Sequence, residues 1–153
     1  MTTFTLDPNY GYAPLPIAKC KKQKQKLIKH SFVLIAAAST FILGTIHGLN
    51  TGTYRKAAAC PYPAAYAPSS RTDRAAYQFN CAQRAHSNFI ENQPSLLAAL
   101  LISGTRFPLT SAVFGGVWTA SRWIYMKGYT TSELKDGKGR YAGGLVSYFC
   151  FRE

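Results

Sequence analysis

The chain has 153 residues, enough for one domain or one small bundle of membrane helices, and a formal net charge of +12. Its mean hydropathy of −0.09 hides a segregation: apolar residues gather in 31–49, 89–103 and 108–125, with polar linkers between. Cys20, Cys60, Cys81 and Cys150 lie far apart with no C-x-x-C pair, which argues against a zinc site or a disulfide framework, so no metal is expected.

Residues 1–18 are rich in Pro, Tyr and Thr, and Pro14 and Pro16 break any helix there. Six lysines follow between Lys19 and Lys29. Residues 1–30 are thus expected as an irregular, basic extension. They contain no apolar core of a cleavable signal, so the first span would act as an uncleaved anchor. The run 31–49 carries no formal charge and is just long enough to cross a hydrocarbon layer of about 30 Å. A Pro-containing loop over 50–72 precedes a helix expected at 76–103, with Pro94 inside it. A third helix is expected over 108–129, opened by Pro108 and carrying Trp118, Trp123, Tyr125 and Tyr129 toward its far end as an interfacial belt would. A charged, Gly-containing loop separates it from 141–151, apolar but only half the length of a span.

The polar residues inside the apolar helices carry the functional information. Arg84, Asn88 and Glu91 fall at i, i+4 and i+7 and share one helical face. A cation at a bilayer centre costs about 2.5–3.5 kcal/mol on insertion scales, so such a ladder is expected only where it meets partners or a ligand. Arg122, Tyr125 and Tyr129 form a second polar face on the third helix. Together the two faces would make a site for an anionic, hydrogen-bonding molecule, arginine supplying forked donors and tyrosine a phenol. The spacing alone equally allows ion pairs that hold helices together. The lysine cluster reads as a solvated arm or a juxtamembrane lipid contact. No aromatic pattern for RNA accompanies it, and no nucleic-acid partner is expected.

Phe79-Asn80-Cys81-x-Gln83-Arg84-Ala85-His86-x-Asn88-x-x-Glu91-x-x-Pro94, followed by Arg122-x-x-Tyr125-x-x-Gly128-Tyr129, resembles the family of membrane-associated proteins in eicosanoid and glutathione metabolism (MAPEG). Within that family the pattern most resembles the type 3 microsomal glutathione S-transferases. The similarity covers about residues 41–141. It implies an all-α, integral membrane four-helix bundle over 31–153, assembled as a homotrimer in the endoplasmic reticulum, with the outer mitochondrial membrane and nuclear envelope as alternatives. Glutathione would be a co-substrate, with no tightly bound cofactor. By motif position Arg84, Asn88, Glu91, Tyr125 and Tyr129 would hold it, with Arg55 from the loop after helix 1 and His86 as an additional polar contact. Arg140 would correspond to the arginine that favours the thiolate. Asn92 stands where some relatives have a tyrosine.

The implied activity is attack by glutathione thiolate on a hydrophobic electrophile, or reduction of a lipid hydroperoxide, at the bilayer. Two features depart from the family pattern. Eighteen residues, 13–30, separate Tyr10-Gly11-Tyr12 from the first span, and the helix after residue 141 is cut short. The alternative reading is therefore a non-catalytic MAPEG-like protein that binds lipid or a partner, inactive because helix 4 is incomplete.

Overall fold

A computed structural model describes residues 17–131 and 135–141. These form three long helices, α1 (Ile17–Ala57), α2 (Arg74–Arg106) and α3 (Pro108–Thr131), and a short 3-10 turn at Lys135–Arg140. The described residues contain no strand. The irregular segment expected before residue 17, and the partial fourth helix expected beyond residue 141, lie outside the described residues.

One expectation is corrected. The basic segment is not irregular up to residue 30; it is helical from Ile17 and continuous with the apolar run, giving α1 41 residues. Lys and Gln are good helix formers, and no proline interrupts 17–57, so like-charge repulsion among exposed lysines does not break the helix. α1 is the one described helix with both the length and the apolar composition to cross a membrane. Its outward surface, with Leu34, Ile35, Phe41 and Ile42 each about 60–65% exposed, is an apolar face suited to lipid.

α2 is set at its start by Asp73, whose carboxylate accepts from the Ala76 amide and so satisfies one of the orphan donors of the first turn. The helix runs through Pro94, which cannot donate to the carbonyl of Ile90. α2 and α3 are joined by Phe107 alone, and Pro108 occupies the first position of α3, where a missing amide costs nothing. So short a joint forces the two helices antiparallel.

The buried stripe of α1 is Val33, Ala36, Thr40, Leu43, His47 and Thr51, spaced by three and four residues as one helical face requires. It meets both other helices. Val33, Ala36 and Leu100 pack near the α2–α3 turn, and Leu43, Phe89, Leu96 and Trp118 pack mid-bundle. A third cluster of Ala58, Cys60, Ala67, Ala76 and Phe79 closes the loop end. Polar cross-links supplement the packing: Gln93 donates to Thr40 (3.1 Å), Thr51 donates to the Ala82 carbonyl (3.3 Å), and Ser103 and Ser111 pair at 2.8 Å.

A candidate ligand site at one end of the bundle

Measured along the helices, Arg84, Asn88, Arg122, Tyr125 and Tyr129 lie about 22–34 Å from the α2–α3 turn. They gather at the end of the bundle bearing the 58–73 loop. The helix period fixes this: α2 and α3 run antiparallel from Phe107, so residues a similar count from the turn on each side come level.

Arg122 is the centre. It is only 6% exposed, and its Nη1 donates to Asn88 Oδ1 at 2.8 Å. Its guanidinium lies over the rings of Trp118 and Tyr125, 5.3 and 5.4 Å from their centroids. Among the described residues its Nε has no hydrogen-bond partner and no carboxylate pairs with it. A buried cation balanced by a neutral amide and two aromatic faces is under-compensated. An arrangement of this kind favours an incoming anion.

The other predicted residues surround it unequally. Tyr125 is buried and makes an edge-to-face contact with Tyr129, centroids 5.6 Å apart. Its phenol lies within electrostatic reach of Tyr129, Arg122, Arg140 and Arg84. Arg84 Nη1 bonds Glu91 Oε1 at 3.1 Å, both side chains about half exposed, so this pair is displayed on the outside of α2. Asn88, expected on the same face, is turned inward to Arg122. Asn92 donates to the Asn88 carbonyl at 2.7 Å, fixing the turn that carries Asn88.

Arg55 is engaged elsewhere, whereas Arg140 stands beside Tyr129 and within electrostatic reach of Tyr125. Arg55 Nη1 donates to the Ala64 carbonyl at 2.6 Å and its guanidinium stacks on Tyr62 and Phe79, which holds it in its own loop. Arg140 donates to the Tyr141 hydroxyl at 3.0 Å on the surface. This cation stabilises the neighbouring phenolate and draws the Tyr141 phenol below its usual range.

Of the polar seam behind Arg122, sequence reasoning named His86 and missed the rest. His47 is 1% exposed, and among the described residues its ring nitrogens, His86 Nδ1, Trp118 Nε1 and Asn50 Nδ2 make no close hydrogen bond. The His47 ring stacks on Phe89 with centroids 4.7 Å apart and lies 6.1 Å from that of His86; Phe89 continues to Trp118 at 5.5 Å. A lone histidine in an apolar run gives no sequence signal of this neighbourhood. Arg122 did have a signal, its place in the second polar face, yet the expected ligand set left it out. Between α2 and α3 a groove of about 330 Å³, lined by Leu96, Leu100, Phe107, Phe114 and Trp118 among others, ends on the same indole that Arg122 covers. Among the described residues no group of three or more metal-ligating side chains occurs.

Three long helices, one of them long and apolar enough to cross a membrane, and a polar site at one end place the chain among small all-helical proteins. The MAPEG family model matches residues 33–151, and the chain belongs to the MAPEG family. That family is membrane-associated and includes glutathione transferases together with other members.

Proposed function

We propose that this chain is a membrane-bound glutathione transferase or peroxidase of the type 3 microsomal kind. The observation that carries the reading is Arg122, a buried guanidinium without a carboxylate partner among the described residues, held by Asn88 and flanked by Tyr125. Glutathione carries two carboxylates, an α-amino group and a thiol. Arg122 and Arg84 suit the carboxylates, Glu91 suits the ammonium, and Tyr125 offers a phenolic donor to the sulfur. The half-exposed Arg84–Glu91 pair would be covered by a neighbouring subunit in a homotrimer, which removes the difficulty of displaying a charged pair on a helix within lipid. The endoplasmic reticulum is the location the resemblance implies for such an enzyme.

The chemistry follows from the thiolate, which is the nucleophile and is favoured by a nearby cation. In transfer, the sulfur forms a bond to an electrophilic carbon and the leaving group departs with its electron pair. In peroxide reduction, the sulfur attacks the hydroperoxide oxygen, the alcohol leaves, and a second glutathione converts the sulfenic acid to a disulfide and water. The groove ending at Trp118 would bring an apolar co-substrate beside Arg122.

The bond of Arg140 to the Tyr141 hydroxyl, which occupies a guanidinium otherwise beside Tyr129, and the loop engagement of Arg55 favour a second reading, a family member that binds its ligand without activating the thiol. Titration of glutathione into the detergent-purified full chain tests the first step. Saturable binding is expected, abolished in Arg122→Ala and Tyr125→Ala and weakened in Arg84→Ala. No binding by the unmodified chain would overturn the glutathione assignment. Binding without turnover of an aryl halide or an organic hydroperoxide would select the second reading.

A further inference from the structure

The opposite end of the bundle holds a second cationic constellation. The buried stripe Val33, Ala36, Thr40, Leu43, His47 and Thr51 continues backward along α1, with the same alternation of three and four, through Lys29, Lys26, Lys22 and Lys19. These lysines therefore occupy the side of α1 that faces the bundle. Lys21 and Lys24 lie on the other side. All six are exposed, because α2 and α3 end below them.

The contact between Val33 and Gly104 sets the level of the two sides. Lys29 lies one turn of α1 beyond Val33, and Arg106 and Phe107 lie two and three residues beyond Gly104. The lysine row therefore rises over the α2–α3 turn, where Arg106 is exposed with its guanidinium 5.9 Å from the centroid of the exposed Phe107 ring. No carboxylate occurs among the described residues of this end, and α1 has no acid in its first turn.

The height matches the lipid interface. The uncharged run begins at Ser31. Lys29 and Lys26 stand about 3 and 7 Å above it along the axis, within a headgroup layer of about 5–8 Å. Lys22, about 13 Å up, remains within a screening length of about 8 Å from that layer.

We propose that Lys22, Lys26 and Lys29, with Arg106, form a seat for the phosphate-bearing headgroup of an anionic lipid at the boundary opposite the candidate glutathione site. Charge complementarity and the fixed height above the apolar span select a lipid. A basic cluster between transmembrane elements at headgroup level is the recognised physical form of such a site. The inference does not depend on the glutathione reading, because it uses no residue of that site.

The test uses the full chain carrying Cys150→Ser, labelled with a fluorescent donor at exposed Cys20 and reconstituted into phosphatidylcholine vesicles. Acceptor fluorophores are placed on an acyl chain of either phosphatidylserine or phosphatidylcholine at equal mole fraction, which leaves the headgroup charges unchanged. At about 0.15 M salt the anionic acceptor is expected to be enriched around the donor, and the excess to disappear near 1 M salt, where the screening length falls to about 3 Å. The Lys26→Gln/Lys29→Gln variant is expected to lose at least about fivefold of the enrichment, the worth of one lysine near an anionic surface. Lys21→Gln/Lys24→Gln, which removes the same charge from the other side, is expected to keep most of it. Equal transfer to the two acceptors would overturn the proposal, as would equal losses in the two variants. Capture of a labelled RNA oligonucleotide by the chain in neutral vesicles, undiminished by anionic lipid, would assign the lysines to nucleic acid instead.

Discussion

Arg122 and Asn88 show how a single acceptor sets the state of a cation. The Asn88 amide oxygen accepts from the buried guanidinium at 2.8 Å, and Asn88→Ala would leave that donor facing Trp118 and Tyr125 alone. Hydrogen bonds to charged groups contribute about 1.5–3 kcal/mol, and Asn88→Ala is expected to destabilise the detergent-solubilised chain by about that amount. Thermal unfolding measures it; an unchanged midpoint would mean that Arg122 is satisfied by another group. The spacing of Arg84, Asn88 and Glu91 was legible because the helical period is a property of sequence alone. Their division was not legible: Asn88 turns inward while the other two pair outside, and that depends on which neighbour α3 presents. Arg55 is the counterpart. Its position after α1 could be read from the chain, but its direction is set by the Ala64 carbonyl and the rings of Tyr62 and Phe79, which only the folded loop brings to it.

The elements owe their closeness to small residues at two crossings. A Cβ on Gly104 would meet Val33 Cγ1 at 2.9 Å and Cγ2 at 3.1 Å, and one on Gly115 would meet Leu100 Cδ1 at 3.0 Å and Ala36 Cβ at 3.1 Å. Valine is stiff about its first torsion, so the Gly104 contact cannot be relieved by a side-chain swing. Gly104→Ala is expected to cost about 1–3 kcal/mol through overpacking, measured as a lower unfolding midpoint in detergent. Gly116→Ala, with nothing within 4 Å, is expected to be neutral or slightly stabilising because alanine is the better helix former. The beginning of α3 was readable at Pro108, because a first-turn proline has a local cause, and that of α2 to within two residues. The beginning of α1 was not. Lysine-rich sequence is compatible with a helix or a solvated arm, and continuity with the apolar run decides for the helix.

At the scale of the molecule, Arg71 is one of the side chains that tie back the loop after α1. Arg71 donates Nη1 to the Ala58 carbonyl at 2.6 Å and grips Asp73 through Nε and Nη2, both at 2.8 Å. It thereby joins the end of α1 to the cap of α2. The Arg71 guanidinium, with help from the Ala76 amide, lowers the Asp73 carboxyl below its ordinary range. A depressed acid contributes stability that is fully present above its unfolded value of about 3.9 and is lost as pH falls through the lower folded value. Asp73→Ala is therefore expected to lower the unfolding midpoint at neutral pH, with the gap from the unmodified chain closing below about pH 4. A gap independent of pH would assign the effect to lost packing. The family and the helical membrane character were legible across most of the chain, because motif and hydropathy are both local. The tie between Ala58 and Asp73 spans a loop whose path no local signal specifies.

α1 has no joint between Lys19 and Ala57. Each residue advances it by a fixed angle of about 100°, so the azimuth of the lysine row relative to the bundle is decided by residue count alone. Adding one residue between Lys29 and Ser31 would swing the whole row by about that angle, away from Arg106, without touching a contact in the bundle. The extension is therefore keyed like an axle: its rotational setting follows from the number of residues, and among the described residues no packing against the lysines sets it.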